Sequence, residues 1–253
     1  MTRPLVLLSN DDGYRSQGIQ TLAAQLERFF DVVTCAPDNE QSASSHSLSL
    51  NRPLRLEQHA STVFSVDGTP ADSVYLALHA KNLLPRRPDL VVSGLNHGLN
   101  LGQDVFYSGT VAAAREGALQ GFPSLAVSAH DNADIEAAAA DAARIAEKLW
   151  RQEAGKPCLF NVNYPATGSW AHHPTCAGRR VYSGGLVERR DPRGRPYYWI
   201  GGDSVVHEQI EASDTRAYDQ GHVGITPLIL DLWSSALAAR ATALCDELAA
   251  TTR

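Results

Sequence analysis

Short apolar runs alternate with helix-period segments along the first half of the chain, and few folds accept that pattern. Residues 4–9 (PLVLLS) read as a buried strand, and residues 17–30 as a helix carrying Ile19, Leu22, Leu26 and Phe29 at helical spacing. A second strand, 31–36 (DVVTCA), is closed by Pro37, and a polar, serine-rich segment follows over 38–49. Residues 54–66 resemble a hairpin and 70–84 a helix with Val74, Leu78 and Leu83 on one side. A third core strand spans 89–93 (DLVVS), a helix 110–120, and a further strand 123–128. Strand and helix at this spacing predict a parallel sheet covered on both faces, because each crossover lays a helix on the sheet. The expected class is α/β, with a Rossmann-like core over residues 1–130.

The rest of the chain, 131–253, is expected to extend the same domain. Residues 133–150 form a long alanine-rich helix and 158–163 a strand. From 174 to 202 the composition turns to Gly, Arg and aromatic residues, with turn signals at SGG (183–185) and DPRG (191–194). That stretch reads as an antiparallel hairpin extension, an arm suited to pairing with a second subunit. Residues 225–230 read as one more strand and 234–250 as a closing helix. The 253 residues suffice for one sizeable core. No internal repeat is present.

Where the first strand ends, residues 7–13 (LLSNDDG) put two carboxylates side by side, Asp11 and Asp12. In parallel α/β sheets, ligands gather at the carboxyl ends of strands. Ser42 stands in the loop after the second strand and Asn96 in the loop after DLVVS, so four oxygen-bearing side chains can meet at one sheet edge. A set without His or Cys suits a hard cation, Mg²⁺ or Mn²⁺, better than zinc, and a cation would relieve the Asp11–Asp12 repulsion. NDDG also fits a simple turn that begins a helix, with Asp as cap and Gly for the tight bend. Residues 93–110 (SGLNHGLNLGQDVFYSGT) place four glycines and two asparagines between a strand and a helix. The helix start at Ser108, Gly109 and Thr110 offers free N–H groups and the positive dipole end to an anion. Those residues equally fit a tight loop with Ser108 or Thr110 as a cap. A Cβ at Gly109 is expected to crowd a bound oxyanion while leaving the distant carboxylates able to take up metal. A cation site beside an anion site describes metal-assisted hydrolysis of a phosphate ester by water.

Three separated stretches carry a resemblance: LLSNDDGYRSQGIQTL, then APDNEQSASSHSLSL, then VSGLNHGLNLGQDVFYSGTVAAAREGALQGFPSLAVS. They resemble the SurE family of stationary-phase survival proteins, and GTPADSVYLAL and DTRAYDQGHVGITPL resemble it too. The resemblance implies a Rossmann-like fold, hydrolysis of nucleoside 5′-monophosphates, one divalent cation per subunit and a homodimer or homotetramer. It implies metal ligation by Asp11, Asp12, Ser42 and Asn96, with Asp11 and Asp12 as the catalytic pair. Phosphate binding by Ser108, Gly109 and Thr110, beside Asn96, is implied in the same way. The stretch 165–180, with its HHPT, is the weakest match to the family.

Charge and composition narrow the alternatives. A net charge of −6 argues against a partner such as duplex nucleic acid, bound by bulk phosphate attraction, but not against a small phosphorylated ligand. A haloacid-dehalogenase-type phosphatase would need a nucleophilic aspartate where Asn10 stands. A dinucleotide oxidoreductase would need GxGxxG after the first strand. A non-catalytic nucleotide-binding module has no use for two adjacent carboxylates. His46 and His97 flank the proposed ligands but read as solvent-facing loop residues. His172, His173 and Cys176 mimic a zinc cluster without a fourth ligand. Arg189, Arg190, Arg193 and Arg195 read as a solvated hairpin tip. The four scattered cysteines (Cys35, Cys158, Cys176, Cys245) read as buried or inert thiols in a reducing compartment. The opening MTRPLVLLSNDD is too short in apolar length for a signal peptide's core, and no run reaches membrane-spanning length. A cytoplasmic location is expected.

Overall fold

β1 (Leu5–Ser9) alternates Leu5 and Leu7 towards one side of a sheet and Val6 and Leu8 towards the other, and both sides are buried. The remaining elements of the computed structural model, which describes residues 3–153, 155–201 and 204–251, build around that strand. In chain order they are α1 (Gln17–Leu26), β2 (Asp31–Pro37), β3 (Leu56–Ala60), β4 (Val63–Val66), α2 (Pro70–His79), β5 (Leu90–His97), α3 (Gly109–Leu119), β6 (Pro123–Ala129), α4 (Ile135–Glu153), β7 (Cys158–Tyr164) and β8 (His172–Pro174). There follow β9 (Arg180–Tyr182), β10 (Leu186–Arg190), β11 (Pro196–Ile200), β12 (Val205–His207), α5 (Asp214–Asp219), β13 (Val223–Pro227) and α6 (Ala238–Thr251).

Nine strands form the main sheet in the order β3-β4-β2-β1-β5-β6-β7-β13-β8. Its central strands, β4 to β7, pair in parallel, while β3 on β4 and β13 on β7 are antiparallel. The α/β class with a mostly parallel sheet is therefore the observed one. Helices α1 and α4 cover the face that receives Val6 and Leu8, and α2 and α3 the face that receives Leu5 and Leu7. The chain travels outward from β1 to β2 and β4, then returns to lay β5 on the other side of β1. The carboxyl ends of β1 and β5 thus form the switch point where an α/β sheet opens a crevice.

Several boundaries differ from the sequence expectation. α1 stops at Leu26 because turns at 27–30 bring Phe30 into the core. α2 stops at His79: Ala80 is extended and Asn82 is left-handed, so the chain turns before Leu83. The third core strand runs four residues past Ser93, to His97. Gly94 makes this possible, since its φ is +136° and a Cβ there would lie 2.3 Å from the Val127 carbonyl oxygen. The expected extension exists as two antiparallel ribbons, β10 with β11 and β9 with β12. The expected strand at 225–230 begins at Val223 and ends at Pro227. The closing helix starts at Ala238, after a 3₁₀ turn over Ser235–Leu237. No helix of the described residues is long and apolar enough to cross a membrane.

Candidate functional site

Asp11 and Asp12 stand just past the end of β1, Ser42 lies in the loop after β2, and Asn96 is the next-to-last residue of β5, so the four arrive at one edge of the sheet. The serine-rich loop is fixed there by backbone bonds: the Gln41 N–H donates to the Asp11 carbonyl at 2.7 Å, and the Ser45 N–H to the Tyr107 carbonyl at 3.0 Å. Asn10 is buried, and its amide nitrogen donates to the Gly13 carbonyl (3.0 Å) and Ser16 Oγ (2.9 Å), organising the turn. It is a scaffold for the carboxylates and carries no nucleophilic oxygen anion.

Asp11 is buried, and its carboxylate lies at the start of α3, where the Thr110 hydroxyl donates to Oδ1. Burial raises its pKa; the Thr110 hydroxyl and the backbone N–H groups of Thr110 and Gly109 oppose that rise without cancelling it. Asp12 is less buried and accepts from the His97 N–H at 3.2 Å. Burial, then repulsion from Asp11, pushes its pKa up to about 6. Ser42 Oγ donates to Glu40 Oε1 at 2.8 Å, leaving its lone pairs free to accept. Asn96 Nδ2 donates to the Gly98 carbonyl at 2.7 Å, so the amide oxygen is the atom left for a ligand.

Two cavities meet at Ser42, Asn96 and His97. One, of about 310 Å³, adds Asp11, Asn100, Asp104, Tyr107, Ser108 and Arg180. The other, of about 380 Å³, adds Asp12, Glu40, His130 and Asp131. Of the expected phosphate turn, Ser108 lines the first cavity, and its hydroxyl also caps α3 by accepting from the Val111 N–H at 3.0 Å. Gly109 and Thr110 stand behind Asp11 instead. A Cβ on Gly109 would lie 2.7 Å from Asp11 Cβ and 2.9 Å from Oδ2. The expectation that Gly109 is remote from the carboxylates is therefore corrected: the helix start packs on Asp11 itself.

A divalent cation fits these residues. Two adjacent carboxylates are held in a buried crevice, and among the described residues neither forms an ion pair with Arg, Lys or His. Keeping such a pair ionised costs on the order of several kcal/mol without a compensating charge. Among the described residues no group of three or more His, Cys, Asp and Glu side chains is arranged to hold a metal. Two carboxylates with the neutral oxygens of Ser42 and Asn96 beside them are donors of the kind a hard divalent cation takes.

His46 is not a free loop residue: its Nε2 lies 2.8 Å from Oε2 of the buried Glu116 on α3. His97 is exposed and near Asp131 (3.8 Å). His172 pairs with Asp141 at 2.7 Å and His173 stacks on His222, so the two rings serve different neighbours. Arg190 and Arg195 bond within the β10–β11 tip, to the Gly194 carbonyl and Asp191. All four cysteines are free: Cys35 is buried, Cys158 half-buried, and Cys176 and Cys245 are exposed.

Sequence reasoning missed the contributors that come from far along the chain. Asn100 is fastened by Ser128, Asn161 and Asn163, so the glycine-rich loop has a rigid floor. Asp214 ties that loop to the C-terminal part by accepting from the Gly102 N–H (2.9 Å) and the Gly178 N–H (2.7 Å). Arg180 and Tyr182 of β9 both reach Asp104, in the 3₁₀ turn Gly102–Phe106. The one signal available was that DTRAYD and the 179–182 run place charges in otherwise turn-rich sequence.

Residues 6–183, more than half of the chain, match the family described as "Survival protein SurE". A protein named 5′-nucleotidase SurE from Sorangium cellulosum is 58% identical over 238 residues, covering 92% of each chain. A protein of the same name from Citrifermentans bemidjiense is 46% identical over 237 residues, covering 91% of this chain and 95% of its own. The crystal structure of the SurE protein from Aquifex aeolicus superposes with a TM-score of 0.81 at 37% identity, covering 95% of this chain and 99% of that one. The sequence motifs, the switch-point crevice and these relatives agree, and the chain belongs to the SurE survival-protein family.

Proposed function

We propose that this chain is a 5′-nucleotidase, a phosphoric monoester hydrolase that releases inorganic phosphate from nucleoside 5′-monophosphates. The observation that carries the reading is Asp11, a buried carboxylate at the sheet's switch point, opening into the cavity shared by Ser42, Asn96 and Ser108. The names of its relatives support the substrate class. Asp11 and Asp12 would hold one divalent cation, with Ser42 and Asn96 completing the donor set. When bound, such a cation polarises a phosphoryl oxygen and activates water. Asn96 and Ser108 orient the phosphoryl group in the 310 Å³ cavity. Thr110 and Gly109 act through Asp11, fixing the carboxylate against the first turn of α3. Asn10 fixes the turn that presents both acids.

The test is direct. With AMP or GMP and Mg²⁺ or Mn²⁺, the protein is expected to release inorganic phosphate. A protein that binds nucleotide but releases none would be a binding module, and the hydrolase reading would fall.

We also infer a homodimer or homotetramer. Both strands of the β10–β11 ribbon are exposed throughout, including Leu186, Trp199 and Ile200, and an isolated two-stranded ribbon is marginal in water. Leu232, Trp233, Leu244 and Leu248 are exposed on the C-terminal segment. Apolar surface of this kind marks a contact between chains. Light scattering at micromolar concentration is expected to give the mass of two or four chains, and a monomer would contradict it. The free thiols agree with a reducing, cytoplasmic setting.

A further inference from the structure

The cavity beside Asp11 has one Arg or Lys among the described residues that line it, and that residue comes from the extension rather than the core. Arg180 opens β9, seventy-odd positions beyond the glycine-rich loop, yet it is built into that loop from both sides. Its backbone N–H donates to Gln103 Oε1 at 3.0 Å, and the Gln103 amide donates back to its carbonyl. Its guanidinium pairs with Asp104 Oδ2, the same oxygen that accepts from the Tyr182 hydroxyl at 2.7 Å. The guanidinium also lies 5.4 Å from the centre of the Tyr182 ring. Asp104 is itself part of the site's frame, because its carbonyl accepts from the N–H of Ser108, the cap of α3, at 3.0 Å.

Two features distinguish this arrangement from an ordinary stitch between segments. The Arg180 side chain is 16% exposed, so it is held in place. Its Nε is buried and has no acceptor, a donor capacity that proteins seldom leave unused. Asp11 and Asp12 match a divalent cation, and Asp104 offsets Arg180. A phosphate monoester, which brings close to two further negative charges, would draw on the guanidinium donors that Asp104 leaves free. A guanidinium fork is the side chain suited to a phosphoryl group.

We propose that Arg180 is a substrate-binding residue that supplies the protein's own positive charge to the phosphoryl group, with Asp104 and Tyr182 as the residues that position it. The inference rests on the reading of the site as a nucleoside-monophosphate phosphatase. It makes β9 of the extension a wall of the active site.

The experiment compares the full-length wild type with Arg180→Gln, Arg180→Lys and Asp104→Asn. It reads kcat and KM for AMP, melting temperature, and calorimetric affinity for inorganic phosphate with Mg²⁺ present. Arg180→Gln is expected to weaken phosphate affinity and raise KM by about tenfold or more, the loss of a charge-assisted hydrogen bond, with a smaller change in kcat. Arg180→Lys keeps the charge but not the fork and should recover part of both. Asp104→Asn should raise KM without removing the cation. An Arg180→Gln protein of lowered melting temperature but unchanged KM and phosphate affinity would reduce Arg180 to a structural stitch and overturn the proposal. If Arg180→Gln does not fold, an Arg180→Lys protein with wild-type KM and phosphate affinity overturns it equally. A wild type that binds phosphate in an Arg180-dependent manner but hydrolyses no nucleotide would sink the nucleotidase reading and keep this one.

Discussion

Replacing Asp11 by asparagine is expected to lower phosphate release by roughly a hundredfold or more, because removing a direct ligand should cost more than the ten- to hundredfold typical of outer-shell changes. The same substitution should leave the fold intact and raise the melting temperature of the cation-free protein. Asn has the shape of Asp and can still accept from the Thr110 hydroxyl, but it carries no charge into the buried crevice. Asp12→Asn is expected to behave alike, and here the pH dependence has a definite sign. The folded-state pKa of Asp12 is about 6, above its ordinary value of 3.8, so the folded protein binds this proton more tightly than the unfolded chain. The stabilising effect of the proton is present at pH below about 4 and is lost as pH rises through about 6. Cation-free wild type and Asp12→Asn should therefore have similar stability near pH 4 and diverge towards pH 7. Because Asp12 is partly solvated, the difference there is discounted to about 1–2 kcal/mol. Thermal melts in chelator across that range, with turnover measured separately on Mg²⁺-supplied samples of the same proteins, check both halves. A variant that keeps wild-type turnover would remove that carboxylate from the catalytic pair.

Gly109→Ala is expected to reduce both activity and stability, against the usual preference of helices for alanine. That preference would favour Ala by about 1 kcal/mol. The added methyl, however, lies 2.7 Å from Asp11 Cβ, 2.9 Å from Asp11 Oδ2 and 3.0 Å from Pro70 Cγ. Overpacking of that kind costs about 1–3 kcal/mol, so the clash wins, and the side chain displaced is the one that holds the cation. Turnover should fall by roughly tenfold or more, as when a reacting group is misplaced by a fraction of an ångström. Ser108→Ala is a useful contrast: it removes the cap of α3 at about 1 kcal/mol and one polar group from the cavity, but leaves Asp11 in place. A Gly109→Ala protein that is more stable and fully active would show that α3 does not need to close on Asp11.

The sequence is most legible where local pattern and tertiary role coincide. Leu5–Ser9, Asp31–Pro37 and Pro123–Ala129 are buried on both faces, so their apolar runs announce them. The four proposed ligands stood out because each lies at or just past the carboxyl end of a strand whose core was itself readable. The rest depends on contacts that no window of residues contains. β5 continues past Ser93 through a glycine whose neighbour is the Val127 carbonyl on the next strand. The three-residue β8 exists only because Val223–Ile225 lies beside it. His46 looked like a loop histidine until Glu116, seventy residues on, appeared next to it. Gly109 looked like a phosphate contact because a helix start attracts anions. The structure satisfies that attraction first with an anion of its own, Asp11. Arg180 showed only as part of a charged run at 179–182, since its place is set by Gln103 and Asp104 through non-local bonds.

The central claim is that the Asp11–Asp12 crevice holds the divalent cation on which nucleotide hydrolysis depends. The most direct measurement is titration of Mn²⁺ into exhaustively chelated wild type and Asp11→Asn, with phosphate release from AMP followed in the same samples. Wild type is expected to bind one Mn²⁺ per chain and to recover activity in proportion to occupancy, while Asp11→Asn recovers neither. Full turnover in the chelated wild type, or equal Mn²⁺ binding by the two proteins, would contradict it.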